Sequence, residues 1–306
     1  MPALRFAPFV RGIFWGPNGI RAGWRFLMCV ALSIGFTSAL FAGLGRVPSL
    51  ARFLSTSRTQ EFLTAPFVIV ADASSFLADV FAALIMSRIE RRPFGRYGIP
   101  LAGAFGKLFW QGAIWGLLAV SAVVLTIYAL GGFSFGTLSL SGFAILKYGA
   151  LWALAFVLLG LAEEFRFRGY SQFTLATGIG FWPAALVLSF IFGIRHFVDN
   201  PGESWVGALS VFAYGLFFCF ALRRTGSLWF PIGFHAAWDF GQSFLYAVPD
   251  SGYRASGSLL STTIHGPRWL TGGTVGPEGS LFCFFLLGVS FLVLGKLYPS
   301  RILPNS

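Results

Sequence analysis

The sequence predicts an all-α polytopic membrane protein, a bundle of about eight transmembrane helices around an intramembrane cavity. Its 306 residues are 56% hydrophobic and only 11% charged, against roughly 25% charged in an ordinary soluble domain. Apolar runs of about 20 residues, the length that crosses the hydrocarbon core, recur along the chain. Five acidic residues and two of the three histidines sit inside such runs. A charge there costs about 3 kcal/mol on insertion scales, so a chain that keeps several uses them.

The runs fall at 24–45, 62–87, 108–131, 148–176, 181–197, 204–222, 228–248 and 280–298. The first follows a basic start (Arg5, Arg11, Arg21, Arg25) and exceeds the roughly 7–15-residue core of a signal peptide, so it stays as a membrane helix. The second carries Asp72 and Asp79, seven apart and therefore on one face, placed to line a cavity or to pair with an arginine. The loop 88–107 is the most basic and marks the inside. The fourth and fifth runs are joined by Gly178-Ile179-Gly180 and Phe181-Trp182-Pro183, chemistry that ends one helix and starts the next. The stretch 250–279, rich in Gly and Ser, is too polar for a helix in lipid and reads as an external loop around a solvated His265. No repeat divides the chain, and 1–306 reads as one transmembrane domain with a catalytic core at 148–246.

The chain has 22 basic and 11 acidic residues, but the basic ones are scattered through short loops without a stripe or motif, which argues against nucleic acid. The charge reads as topogenic. With the N-terminus inside, 13 basic residues fall in cytoplasmic segments and 7 outside, leaving out Arg166 and Arg168, which places both termini in the cytoplasm. The loop 46–60, with Arg46, Arg52 and Arg58, runs against the rule. Cys29, Cys219 and Cys283 lie in apolar runs without metal-ligand spacing and read as buried, unpaired thiols.

Three clusters carry the chemistry: Glu163-Glu164-Phe165-Arg166-Phe167-Arg168, Phe192-Gly193-Ile194-Arg195-His196 and His235-Ala236-Ala237-Trp238-Asp239. Glu164 and Arg168, four apart, stack on one helix face as an ion pair, while Glu163 is turned about 100° away as the free carboxylate. Glu163 and His196 are equidistant from the Gly178-Gly180 turn, so an antiparallel hairpin sets them at one depth, each about 25 Å along its helix. The polar stretch 168–177 projecting beyond the hydrocarbon would leave Glu163 one or two turns below the cytoplasmic face. His235 and Asp239, four apart, project from one face. Phe192 reads as a ring-stacking support for His196, and Arg195 either binds a substrate carboxylate or ends its helix. Two imidazoles and two carboxylates suit activation of water, by a carboxylate base with imidazole help or on a metal.

The ordered set Glu163-Glu164-x-x-x-Arg168, Phe192-x-x-x-His196 and His235-x-x-x-Asp239 resembles the signature motifs of the CAAX protease and bacteriocin-processing family of intramembrane proteases, which includes the CAAX prenyl endopeptidases. Flanking segments such as Phe167-Arg168-Gly169-Tyr170 and Gly233-Phe234-His235 look like the family too. The resemblance implies a hydrolase in which Glu163 and His196 activate water against a peptide carbonyl, with Glu164 and Arg168 in support. His235 and Asp239 would stabilise the oxyanion or, in the metalloprotease reading, help complete a metal site of Glu163, His196 and His235. The implied cofactor is none or one divalent metal, zinc first. The implied partners are a peptide or protein substrate, lipid-modified in the eukaryotic members, and membrane lipids, while the absence of targeting signals points to a bacterial-type plasma membrane. Prenyl endopeptidases typically carry Asn where this chain has Asp239. An ionised Asp only accepts hydrogen bonds, so the expected role of Asp239 is to orient His235, with metal ligation second. A noncatalytic interaction or immunity protein using these residues as structural ion pairs is the alternative, and a proton relay, which calls for inverted repeats, is the third reading.

Overall fold

The computed structural model describes residues 12–17, 19–57, 62–200 and 202–299. Arg5, Arg11, Arg58 and Arg301 lie outside these residues. The architecture is all-α, and its helices follow the apolar runs closely. In chain order they are α1 (Ala22–Gly45), α2 (Pro48–Thr56), α3 (Ala65–Ile89), α4 (Lys107–Ala129), α5 (Phe143–Arg168), α6 (Tyr170–Ile179), α7 (Phe181–Asp199), α8 (Trp205–Thr225), α9 (Trp229–Asp239) and α10 (Leu281–Leu297). Six segments are long and apolar enough to cross a membrane: α1, α3, α4, α5 with α6, α7 and α8. The apolar helices α9 and α10 are shorter, and α9 is prolonged by a π-helical turn at Phe240–Leu245.

Two features depart from the expected runs. The loop after α1 contains the short α2, whose bulky apolar side chains alternate with polar ones. The fourth run breaks at Gly169, where a Cβ would lie 2.3 Å from the Phe165 carbonyl oxygen. Only glycine lets the chain bend there from α5 into α6. The next reversal comes at Gly180, whose φ of +87° belongs to the left-handed region that glycine favours.

The bundle is tied differently at its two ends. At the end that carries the α6–α7 reversal, Arg25 of α1 pairs with Glu90 at 2.5 Å and donates to Thr177 of α6. There the Leu228 amide also donates to the Gly98 carbonyl, and Arg224 donates to the Tyr298 carbonyl. At the opposite end 250–279 forms, as expected, no long helix. Strands β1 (Trp15–Gly16) and β2 (Gly19–Ile20) pair antiparallel ahead of α1, and the two short strands of the 250–279 loop pair with other loops: β5 (Arg254–Ala255) runs parallel to β3 (Phe62–Leu63), and β6 (Thr263–Ile264) antiparallel to β4 (Phe133–Ser134). The loop is thereby stitched across the bundle.

Helix α9 is wedged between α4 and α5. A Cβ on Gly112 or Gly116 of α4 would lie 2.1 Å from the carbonyl oxygen of Phe230 or Phe234, and one on Gly233 of α9 would lie 2.0 Å from that of Phe109. Backbones this close leave no space for side chains, the packing that small-residue repeats permit between membrane helices. Gly116→Ala and Gly233→Ala should each lower stability in detergent by about 1–3 kcal/mol, the usual cost of overpacking, read as a lower thermal midpoint.

Candidate active site

Helix α5 presents Glu164 and Arg168 on one face, and the two form an ion pair at 3.2 Å with both side chains fully buried. Three rings surround the arginine: its guanidinium carbon lies 4.3 Å from the Phe192 ring centre, 5.6 Å from Phe167 and 5.7 Å from Phe218. Gly215 on α8 leaves the guanidinium its space, since a Cβ there would lie 2.7 Å from Arg168 Nη2. The expected ion pair is present, and its aromatic surroundings supply cation–π attraction where water is excluded.

Glu164 does more than hold Arg168. Its Oε1, the oxygen that accepts from Arg168, lies 2.9 Å from His235 Nδ1, which donates to it. The opposite ring nitrogen, Nε2, faces Asp239 Oδ2 at 3.5 Å and Glu163 Oε2 at 3.8 Å. The hydrogen bond that fixes the imidazole therefore comes from Glu164, whereas Asp239 stands across from Nε2 beside Glu163. On α7, His196 Nδ1 donates to the Phe192 carbonyl at 2.9 Å, and the Phe192 ring meets the imidazole edge-on at 4.5 Å. That hydrogen bond assigns the Nδ1 proton and leaves Nε2 as an acceptor. Phe192 thus supports both Arg168 and His196.

Glu163, His196, His235 and Asp239 all line one cavity of about 210 Å³. The Glu163 side chain is 23% exposed against 12% for His235 and 8% for Asp239, so it is the most accessible of these three. Among the described residues no three His, Cys, Asp or Glu side chains are grouped so as to hold a metal ion. One nitrogen of each histidine, Nδ1, is bonded to an acceptor, so Nε2 is the atom through which either imidazole would meet a ligand, a metal ion or a substrate.

Residues 144–241, which contain all three clusters, match the family model Rce1-like, type II CAAX prenyl endopeptidase. Over this segment, about a third of its length, the chain is similar to that family. The resemblance read from the three motifs is shown there, and it supports a CAAX-type protease kind of function in an integral membrane protein. The uncharacterized protein YyaK of Bacillus subtilis (strain 168) is 26% identical over 193 residues, which cover 59% of this chain and 62% of YyaK. The match thus spans less than two thirds of that relative. No solved structure matches the chain.

The matched segment supplies Glu163, His196, His235 and Asp239, but the cavity is completed from beyond it. Asp250, Ser251, Arg254 and Glu278 of the 250–279 loop line its wall. Sequence reasoning missed them. The available signal was that Asp250 and Glu278 are the loop's only carboxylates. The cavity also runs to Asp199 and Asn200 at the end of α7. Helices α5 and α6 continue about 24 Å past Glu163 to Ile179, the distance that the count from the turn implies. The site lies toward the loop 250–279 and away from the α6–α7 reversal.

The remaining charged candidates are tied elsewhere. Asp79 accepts from Arg166 Nε at 2.9 Å and from the Ser33 hydroxyl, and it lines a second cavity, of about 590 Å³, that shares Phe167 and Arg195 with the first. Asp72 is half-buried on the same helix, within electrostatic reach of Glu163 and His235. Arg195 pairs with Asp199 at 3.0 Å, with both side chains about half exposed. His265 is hydrogen-bonded to the Ser134 hydroxyl at 2.9 Å near the surface.

In the loop wall, burial pushes the Asp250 carboxyl up to about 6, and the neighbouring Glu163 carboxylate adds to the rise against a hydrogen bond from Ser243. Burial and the Asp250 charge likewise hold Glu278 well above the usual carboxylate range. A folded value above the unfolded one means that the native state binds the proton more tightly, so this contribution to stability is complete below about pH 4 and is lost as pH rises through about 6. Asp250→Asn, which keeps a polar partner for Ser243, should therefore gain on the wild type by a few degrees of thermal midpoint between pH 4 and pH 7. Parallel melting curves that stay equally spaced over this range would contradict the assignment.

Proposed function

We propose that the protein is an intramembrane endopeptidase of the CAAX prenyl endopeptidase type, hydrolysing a peptide bond with a water activated by Glu163 and His196. One observation carries this reading: Glu163, His196, His235 and Asp239 line a single cavity, with Glu164 buried behind His235 and bonded to it.

A water between Glu163 and His196 Nε2 gives its proton to the carboxylate as its oxygen attacks the substrate carbonyl carbon. His235, held through Nδ1, offers Nε2–H to the developing oxyanion from a fixed position, the kind of donor whose loss costs about 10²–10³ in kcat. Glu163 then returns the proton to the leaving amine as the C–N bond breaks, and one water has been consumed. Asp239 accepts hydrogen bonds only, so it balances charge at Nε2 and leaves donation to His235. Every proton in this sequence moves between side chains of the cavity, substrate and water. The substrate is a peptide or protein segment reaching the cavity from the membrane environment, a lipid-modified one in the use that gives the family its name.

Glu163→Gln should lower kcat by about 10²–10⁴ with an unchanged melting profile, because the amide keeps the shape but cannot take the proton. Retained cleavage in that purified variant would remove Glu163 as the base. His235→Ala and His196→Ala should act likewise. Alanine variants that lose stability and function together would instead favour the noncatalytic interaction protein. Chelator treatment of the purified enzyme should leave cleavage intact, and stoichiometric zinc with loss of activity on chelation would return the metal route.

A further inference from the structure

The catalytic cavity has a direction. Its lining runs from Phe167, Phe192 and Phe218, the rings around the buried Arg168, to Asn200, Ser251 and Arg254 at the other end. Asn200 follows α7, and Ser251 and Arg254 belong to the loop stitched by β3–β5 and β4–β6. No residue of the 90–106 loop, of the α6–α7 reversal or of the α8–α9 connection lines it. Those three segments are gathered at the far end, where Leu228 bonds Gly98 and α1 pairs with Glu90.

Charge separates the same two ends. Among the described residues, leaving out Arg166 and Arg168 within α5, the far end collects ten basic residues and a single acidic one, Glu90, whereas the cavity end collects six basic and four acidic. Basic residues in short loops are retained on the cytoplasmic side, and acidic ones contribute little to that choice. The cavity end is the one poor in Lys and Arg.

From the cavity's direction and this charge asymmetry together, we propose that the active-site cavity opens on the extracytoplasmic side of the membrane. Its substrate is then a polypeptide segment presented from that side. The substrate half of this inference rests on the protease reading above; the orientation half does not. A peptide enters past Asn200 and Ser251 and reaches Glu163 without crossing the aromatic cluster around Arg168. The loop 250–279, which supplies the rim, is the part of the chain that a substrate meets first.

The three native cysteines are buried, so single added cysteines can report sidedness. Asn200→Cys at the cavity rim, Ser139→Cys on the exposed loop at the same end and Ala102→Cys at the far end are each treated in intact cells with a membrane-impermeant maleimide. The wild-type chain serves as the control. Ser139→Cys and Asn200→Cys should label in intact cells, and Ala102→Cys only after permeabilisation. Labelling of Ala102→Cys in intact cells, or of Asn200→Cys only after permeabilisation, overturns the orientation. Sealed right-side-out vesicles should cleave an added peptide, and inside-out vesicles only after detergent. Cleavage by sealed inside-out vesicles alone overturns the substrate side. No cleavage in either preparation after detergent would sink the protease reading while the labelling result stands.

Discussion

A single buried carboxylate oxygen, Glu164 Oε1, accepts from both Arg168 and His235, and the rest of the site depends on that sharing. Burying an ion pair gains little net stability, but taking away one partner strands a charge at a cost of about 3–5 kcal/mol. Here the second partner is the imidazole of a facing helix. The pair on α5 therefore sets the rotation of a side chain on α9. The three rings around Arg168 keep water out, so that no solvent competes for the oxygen, and Phe192 passes the same support to His196 on α7. Three helices are brought to one arrangement through Glu164 and Phe192, which hold the two imidazoles.

Such precision needs helices that cannot slide. The glycine contacts between α4 and α9 fix their separation at backbone distance, and at Gly160 a Cβ would come to 3.1 Å from the Ile232 carbonyl oxygen on the other side of α9. Lipid supplies no hydrophobic drive for helices to associate, so close van der Waals packing takes that part. Ser and Thr hydroxyls or ion pairs supply the links elsewhere, as Asp79 with Arg166 and Ser33 does between α3, α5 and α1. A donor aimed at a developing charge is effective when it is already in place before the reaction, which rigid crossing helices provide.

Much of this was legible in the sequence because helical spacing is local. The i, i+4 intervals put Glu164 with Arg168, Phe192 with His196 and His235 with Asp239, and in each case the two residues are neighbours in the structure. The symmetry of Glu163 and His196 about Gly180 brought both to one cavity. What spacing could not show was rotation between helices. Glu164 was read as a partner for Arg168 alone, since nothing in one helix says that His235 of another faces the same oxygen. Asp72 and Asp79 share a face by count, yet only Asp79 lines the second cavity, because a helix face wide enough for both borders more than one neighbour. The Gly112-x-x-x-Gly116 spacing was available in the third run and would have predicted the close α4–α9 crossing. Asp250 and Glu278 lay in a stretch whose polarity suggested only solvent.

Asp239 gains a different meaning from this geometry. With Glu164 already holding Nδ1, a second orienting acceptor at Nε2 is redundant for the tautomer. Two carboxylates, Asp239 and Glu163, instead stand within 3.8 Å of that nitrogen. A bare lone pair there would face two anions, whereas one proton on Nε2 gives both of them a donor. In the proposed reaction, the proton offered to the oxyanion is therefore the one that the resting site needs for its own electrostatic balance. An asparagine at 239 would leave Glu163 as the one carboxylate facing Nε2 and would bring an amide donor of its own. The aspartate keeps the donor function in the imidazole alone. In the proposed reaction the identity of residue 239 thus sets how many donors the oxyanion meets, separately from the hydrogen bond through which Glu164 orients the ring.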